Sequence, residues 1–356
     1  MSPPFRAEHV GSLLRPAGLI EMRRRFARQE IDQAALRAAE DRAIDEAVRL
    51  QQRVGLRLAT DGEFRRQSYH SYFYQQLGDI AFEAPAGAAG SRGAQPTAMI
   101  RTRIAWKRSI HAADFAFLRA RTGALPKITI PGPCALHFRG GDAAVLAHAY
   151  RDVEAFWDDI VAAFQRELRA LAEAGCSYVQ IDETAFAKFG DPDVRAQLAA
   201  RGDDPDTLID RYIEITNRAI RDLPGLRIGM HLCRGNRGGQ WHAEGSYEAV
   251  AERLFNRLDI GFFFLEYDSP RAGDFSPLRF VPKDKSIVLG LLSTKTDALE
   301  DKSALKGRVE QASRYVDIER LAVSPQCGFA SIDSGNPLSA EMQQAKARTE
   351  DVVLSS

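Results

Sequence analysis

The strongest constraint on how this chain folds is a rhythm: short β-rich runs recur eight times, with long amphipathic stretches between many of them. The runs are AEHVGSL (7 to 13), LRLATDG (56 to 62), KITIPGP (127 to 133), YVQIDET (178 to 184), RIGMHLC (227 to 233), GFFFLEY (261 to 267), SIVLGLL (286 to 292) and RLAVSPQ (320 to 326). Among the intervening stretches, Val153, Phe156, Trp157, Ile160, Phe164, Leu168 and Leu171 share one helical face, and Gly175 follows as a stop. Leu208, Ile209, Tyr212, Ile213 and Ile220 mark another helix, ended by Leu-Pro-Gly at 223 to 225. Strands of five to seven residues separated by helices are parallel βαβ units, and eight of them predict an α/β fold, a TIM (β/α)8 barrel. Barrels often exceed 250 residues, so residues 1 to 356 are expected to form a single catalytic domain.

One βα unit is oversized. Residues 66 to 126 form an insertion after the second strand, on the face where a barrel keeps its active site. Within it, APAGAAGSRGAQP (84 to 96) reads as a flexible loop and TAMIRTRIAWKRSI (97 to 110) as a hairpin or extended piece. Arg101, Arg103, Lys107 and Arg108 there are either a solvated face or a lid that meets an anionic substrate tail.

With 48 basic and 48 acidic side chains the net charge is zero, which argues against nucleic acid or an anionic membrane as partner. No basic region followed by an apolar run opens the chain, and no stretch approaches the length of about 20 apolar residues that spans a bilayer. Four scattered cysteines suit a reducing cytoplasm, the expected location. A homo-oligomer is compatible with all of this.

In a parallel barrel the C-terminal strand ends share one rim, and here nearly every end carries a polar residue. They are Ser12, Asp61 with Glu63, Asp182 with Glu183, His231 with Cys233, Glu266 with Asp268, Ser293 to Lys295, and Cys327. Taken singly, each has an ordinary structural reading, a hydrogen-bonded histidine, a small buried thiol or a solvated acid. Together, His231, Cys233, Glu266 and Cys327 bring an imidazole, two thiolates and a carboxylate to one rim, a donor set that suits tetrahedral Zn²⁺. Such a zinc could bind a substrate thiol and hold it as a thiolate. A closed four-ligand site that only pins strands is compatible with the same spacing.

These motifs resemble the cobalamin-independent methionine synthases, specifically their catalytic C-terminal barrel and its single-barrel relatives. "HVGSLLRP" is similar to the family's opening strand, whose Ser12 contacts the amino-acid substrate, and "TDGEFRR" to the motif whose Glu63 binds its amino group. "VQIDETAF" matches the fourth-strand motif in which Asp182 also holds that group, while "MHLC", "FLEYDS" and "SPQCGF" match the zinc motifs. The resemblance implies Zn²⁺ on His231, Cys233, Glu266 and Cys327. It also implies cobalamin-independent methyl transfer to a small thiol such as homocysteine, giving methionine. The resemblance leaves the expected donor open between a methyl-folate, a corrinoid and another small methylated compound.

Two departures stand out. The family's large enzymes carry a further N-terminal barrel, for which this chain is too short. Where the family has a proton-relaying histidine, "GLLSTKTDALE" places Lys295, an acid or anion anchor in the catalytic set with Glu63 and Asp182, or a surface lysine. Transfer to another thiol, such as epoxide opening by coenzyme M, and a purely structural zinc are the alternatives. Metallohydrolases fit less well, because "HVGS" replaces their His-x-His. Arg234, Asn236, Trp241 and His242 lie on a loop that either closes over substrate or is simply mobile. Tyr69, His70, Tyr72 and Phe73 either stack on a pterin or pack a helix, and Cys134 and Cys176 are structural.

Overall fold

A computed structural model describes residues 5–83 and 96–354. Its strands are β1 (Leu58–Ala59), β2 (Ile80–Glu83), β3 (Thr97–Ile100), β4 (Leu125–Pro126), β5 (Ile128–Pro131), β6 (Tyr178–Asp182), β7 (Arg227–Leu232), β8 (Phe262–Glu266), β9 (Ser286–Ser293) and β10 (Leu321–Gln326). The six strands β5 to β10 form one parallel sheet in chain order. β4 leads directly into β5 and pairs in parallel with β1. The N-terminal segment joins the two edges: Ala7 bridges to Val323 of β10, while Thr60 Oγ1 donates to Gly11 O at 2.6 Å and Leu13 N–H to Gly62 O at 3.1 Å. Eight staves thus complete a (β/α)8 barrel, each within one of the eight β-rich runs or overlapping it.

Alternation along β8 shows why those runs are apolar throughout. Phe262 and Phe264 join Val10, Tyr178, Val288 and Ala322 in the lumen, whereas Phe263 and Leu265 belong to the larger core under the helices. A strand covered on both faces has no polar face to show.

The helix Val153–Glu173 buries Phe156, Trp157, Ile160, Phe164, Leu168 and Leu171, the stripe its periodicity requires. The Asp152 side chain caps it through Glu154 N–H, and Gly175 follows at φ 89°, a conformation glycine adopts without strain. Pro205–Ala219 begins with Asp204 as cap and proline in the first turn. Among the described residues no helix is long and apolar enough to cross a membrane.

Between β1 and β4 in the chain, β2 and β3 pair antiparallel, with Ile80 opposite Ile100. Of the loop expected at 84 to 96, residues 84 to 95 lie outside the described residues. Arg101 pairs with Glu83 at 3.1 Å and Arg103 with Asp159 at 2.9 Å, exposed contacts of a solvated face.

Candidate active site

Parallel register brings the rim residues side by side, with Asp182 opposite His231 on adjacent strands. His231 Nδ1 lies 3.0 Å from Asp182 Oδ1, while its Nε2 is buried with no hydrogen-bond partner. Cys233 follows the same strand. Cys327 follows β10, whose register with β9 shifts at Ser324/Pro325, and a bulge there re-aims the next side chains. Cys327 itself sits at φ 56°, a left-handed conformation that costs a non-glycine residue energy. A Cβ on the following Gly328 would lie 1.8 Å from Ser12 Oγ, so only glycine lets the first and last staves meet there.

The ligating atoms of His231, Cys233 and Cys327 all fall within 4.8 Å of one another. A hydrogen bond from the Cys327 thiol draws Cys233 down to about 6 against its burial, with His231 adding to the shift. Burial pushes the Cys327 thiol up, and the neighbouring Cys233 adds to this. One nitrogen and two sulfurs facing a common point fit Zn²⁺.

Glu266, the fourth expected ligand, lies outside that group. It is fully buried at the end of β8, and both its oxygens are engaged: Oε2 accepts the Arg234 N–H at 2.6 Å and Oε1 accepts from Arg271 at 2.8 Å. Lys295 Nζ stands 3.6 Å from Glu266 Oε1 and 3.0 Å from Asp268 Oδ2. Burial disfavours the Lys295 charge, but Glu266, Cys327 and Asp268 outweigh it and raise its pKa. Burial likewise raises Glu266, yet Lys295 and Arg234 bring it down to about 2. Lys295 is therefore an ion-paired, buried cation and not a surface lysine.

Ser12, Glu63 and Asp182 line a narrow cleft together with Tyr69, His231 and Cys233. Glu63 stands at φ 61°, held by Thr129 Oγ1, which donates to Oε1 at 2.8 Å. Its Oε2 is buried without a partner. Burial raises the Glu63 pKa; Arg66 opposes this and the Asp182 charge adds to it. Arg66 stands 3.9 Å from Glu63 Oε1, and the free Oε2 beside Asp182 leaves the cleft suited to a further cation.

Above the cleft a cavity of about 250 Å³ opens, with Cys233 in its wall. Arg139, Lys188, Arg237, His70 and His242 line it, and none of its described lining residues is acidic. Asn236 and Tyr69 also reach it, whereas Phe73 is buried against Phe164 and serves packing. Arg234 is buried and donates to Gly245 O, and Trp241 lies under the Arg271 guanidinium. Cys134 and Cys176 are buried away from the cluster, bonded to Tyr212 O and Tyr178 O.

Sequence reasoning passed over four supporting residues. Thr129 anchors Glu63, Gln180 donates to Asp182 Oδ1 at 2.8 Å, Gln326 donates to Cys327 Sγ at 3.1 Å, and Arg271 pairs with Glu266. Position two residues before a rim acid, on the same strand face, could have flagged Gln180.

Fold and rim together define a (β/α)8 barrel with a His/Cys/Cys metal-type cluster beside an acidic cleft. The family model for the cobalamin-independent synthase catalytic domain matches residues 5–346, and the chain belongs to that family of methyltransferases. It is 39% identical over 351 residues to the uncharacterized protein YxjH of Bacillus subtilis, covering 97% of this chain and 92% of that one. A putative vitamin-B12 independent methionine synthase from Listeria monocytogenes, 33% identical, superposes with a TM-score of 0.75 over 99% of this chain and 98% of its own. A B12-independent methionine synthase from Shewanella, in complex with selenomethionine, shares the fold at a TM-score of 0.75 and 19% identity, covering 98% of this chain and 96% of its own.

Proposed function

We propose that this protein is a zinc-dependent methyltransferase that activates a small thiol, most simply homocysteine, and releases methionine without cobalamin. The supporting observation is the convergence of His231, Cys233 and Cys327 beside the cleft that Ser12, Glu63 and Asp182 line. Zinc held by these three donors would supply the Lewis acidity that keeps a substrate thiol deprotonated at neutral pH. Three protein ligands are the number typical of catalytic zinc, which keeps one position for substrate. Glu266, clasped by Arg271 and Arg234 N–H and neutralised by Lys295, stays out of the set in this reading.

Glu63 and Asp182 receive the ammonium of the amino-acid thiol, relieving their mutual repulsion and fixing where its sulfur points. The thiolate sulfur then forms a bond to the methyl carbon as the donor's bond to that carbon breaks, and the leaving group takes up a proton. Arg139 and Arg237 in the outer cavity, with no acid among its described lining residues, suit a donor with an anionic tail, such as methyl-folate.

The test is a metal assay joined to a thiol panel. The chain is expected to hold about one zinc and to methylate homocysteine before other thiols; full activity in a zinc-free, folded sample would overturn the reading.

A further inference from the structure

A column of hydrogen bonds runs up the lumen from the barrel floor to the cluster. Glu8 and Lys127 form a fully buried pair at the N-terminal end of the strands, 3.3 Å apart, and Tyr178 OH donates to the other Glu8 oxygen at 3.1 Å. Lys127 Nζ also donates to His9 O and, at 3.0 Å, to Gln180 Oε1. Gln180 Nε2 donates to Val10 O at 2.6 Å and to Asp182 Oδ1 at 2.8 Å. Asp182 Oδ1 meets His231 Nδ1.

Each link in this column has its direction fixed by the one below. An ammonium has three donors and no acceptor, so the Gln180 group facing Lys127 must be its carbonyl oxygen. The Gln180 NH₂ must then face upward, where it donates to the Asp182 carboxylate. Held as an acceptor, Asp182 takes its bond from a His231 Nδ1 that carries the proton. A neutral imidazole protonated on Nδ1 has its lone pair on Nε2, the buried atom that has no partner, on a ring that offers a nitrogen within 4.8 Å of the Cys233 and Cys327 sulfurs.

We propose that Lys127 and Gln180 are positioning residues that set the tautomer of His231 from the floor of the barrel, so that Nε2 is presented as a ligand before any metal arrives. The inference rests on the metal reading of the cluster for its purpose, but the tautomer is a property of the metal-free chain. Outer partners of ligating histidines typically alter metal affinity 10–100-fold, and here the column extends that influence two residues further, to a lysine at the opposite end of the strands.

The experiment uses the full-length, metal-free chain labelled with ¹⁵N-histidine, and then zinc titration. At a pH high enough to keep the imidazole neutral, His231 of the parent protein is expected to show the single Nδ1–H pattern. Gln180→Leu is expected to give a mixture of tautomers and a loss of zinc affinity of about 10–100-fold. Lys127→Met alone would leave Glu8 unpaired and threaten folding, so the floor is cut with Glu8→Gln combined with Lys127→Met, which frees Gln180 to flip and is expected to mix the tautomers too. Glu8→Gln alone keeps the lysine and is expected to keep the single pattern. An unchanged tautomer in both Gln180→Leu and the double variant overturns the proposal. Failure of the parent chain to bind zinc would sink the proposed function instead, and leaves the tautomer readout intact.

Discussion

The two ends of the barrel lumen bury charge in opposite ways. At the floor, both Glu8 oxygens are bonded, one to Lys127 and one to Tyr178, and Lys127 has Gln180 and His9 O as further acceptors. At the rim, Glu63 Oε2 and His231 Nε2 are buried with no partner. Of the four non-glycine residues at positive φ among the described residues, two, Glu63 and Cys327, also stand at the rim. Buried polar atoms are ordinarily satisfied, so a satisfied charge pair reads as architecture and an unsatisfied, strained pair of sites reads as places kept for a ligand. Both ends hold a buried acid of raised pKa, so burial and titration alone do not tell them apart. The missing partner does.

That contrast breaks or stands on substitutions at each end. The largest effect is expected at the rim, where Cys233→Ser or Cys327→Ser should reduce thiol methylation to background in a folded chain, checked by a methionine assay beside a circular dichroism melt. At the floor, Lys127→Met removes the cation that opposes the burial of Glu8, leaves a protonated acid and an unpaired Gln180 oxygen, and should cost about 1–3 kcal/mol of stability by denaturant titration. Glu63→Gln inverts the pattern: its Tm should hold or rise, while KM for homocysteine should climb roughly 10–100-fold with the loss of a charged hydrogen bond.

A pH titration sharpens the comparison. Glu8 is raised from 4.5 to about 7, by burial first, against the pull of Lys127. Between those two values the folded chain therefore binds more protons than the unfolded one, and stability falls as pH rises. Glu8→Gln should flatten that slope, measured as the midpoint of urea unfolding between pH 4.5 and 7. The smallest effects belong to Arg101→Ala and Arg103→Ala, whose exposed ion pairs contribute less than about 1 kcal/mol and line neither cavity. A clear rise in donor KM in either variant would restore the lid reading.

The eight staves were legible because each strand is covered on both faces, as Phe262 to Leu265 show, and leaves a short apolar run in the sequence. His231, Cys233 and Cys327 were legible because thiols and imidazoles at strand ends are chemically distinctive. Glu266 was harder to place: its residue type fits a ligand, but its orientation depends on Arg271, which lies on a separate turn, and on Arg234 N–H, a backbone group that no side-chain pattern announces. Lys295 showed the same limit, since its burial and its bond to Asp268 arise from the packing of two strand ends. The column from Glu8 up to His231 joins residues from four separate staves, so no spacing along the chain could reveal it.

The central claim is that the rim cluster holds a metal with a place for a substrate thiol. Zinc X-ray absorption with and without homocysteine tests it most directly. The account predicts that the sulfur count rises from the two of Cys233 and Cys327 to three when homocysteine is added. A count that stays at two, with homocysteine demonstrably bound, would contradict it.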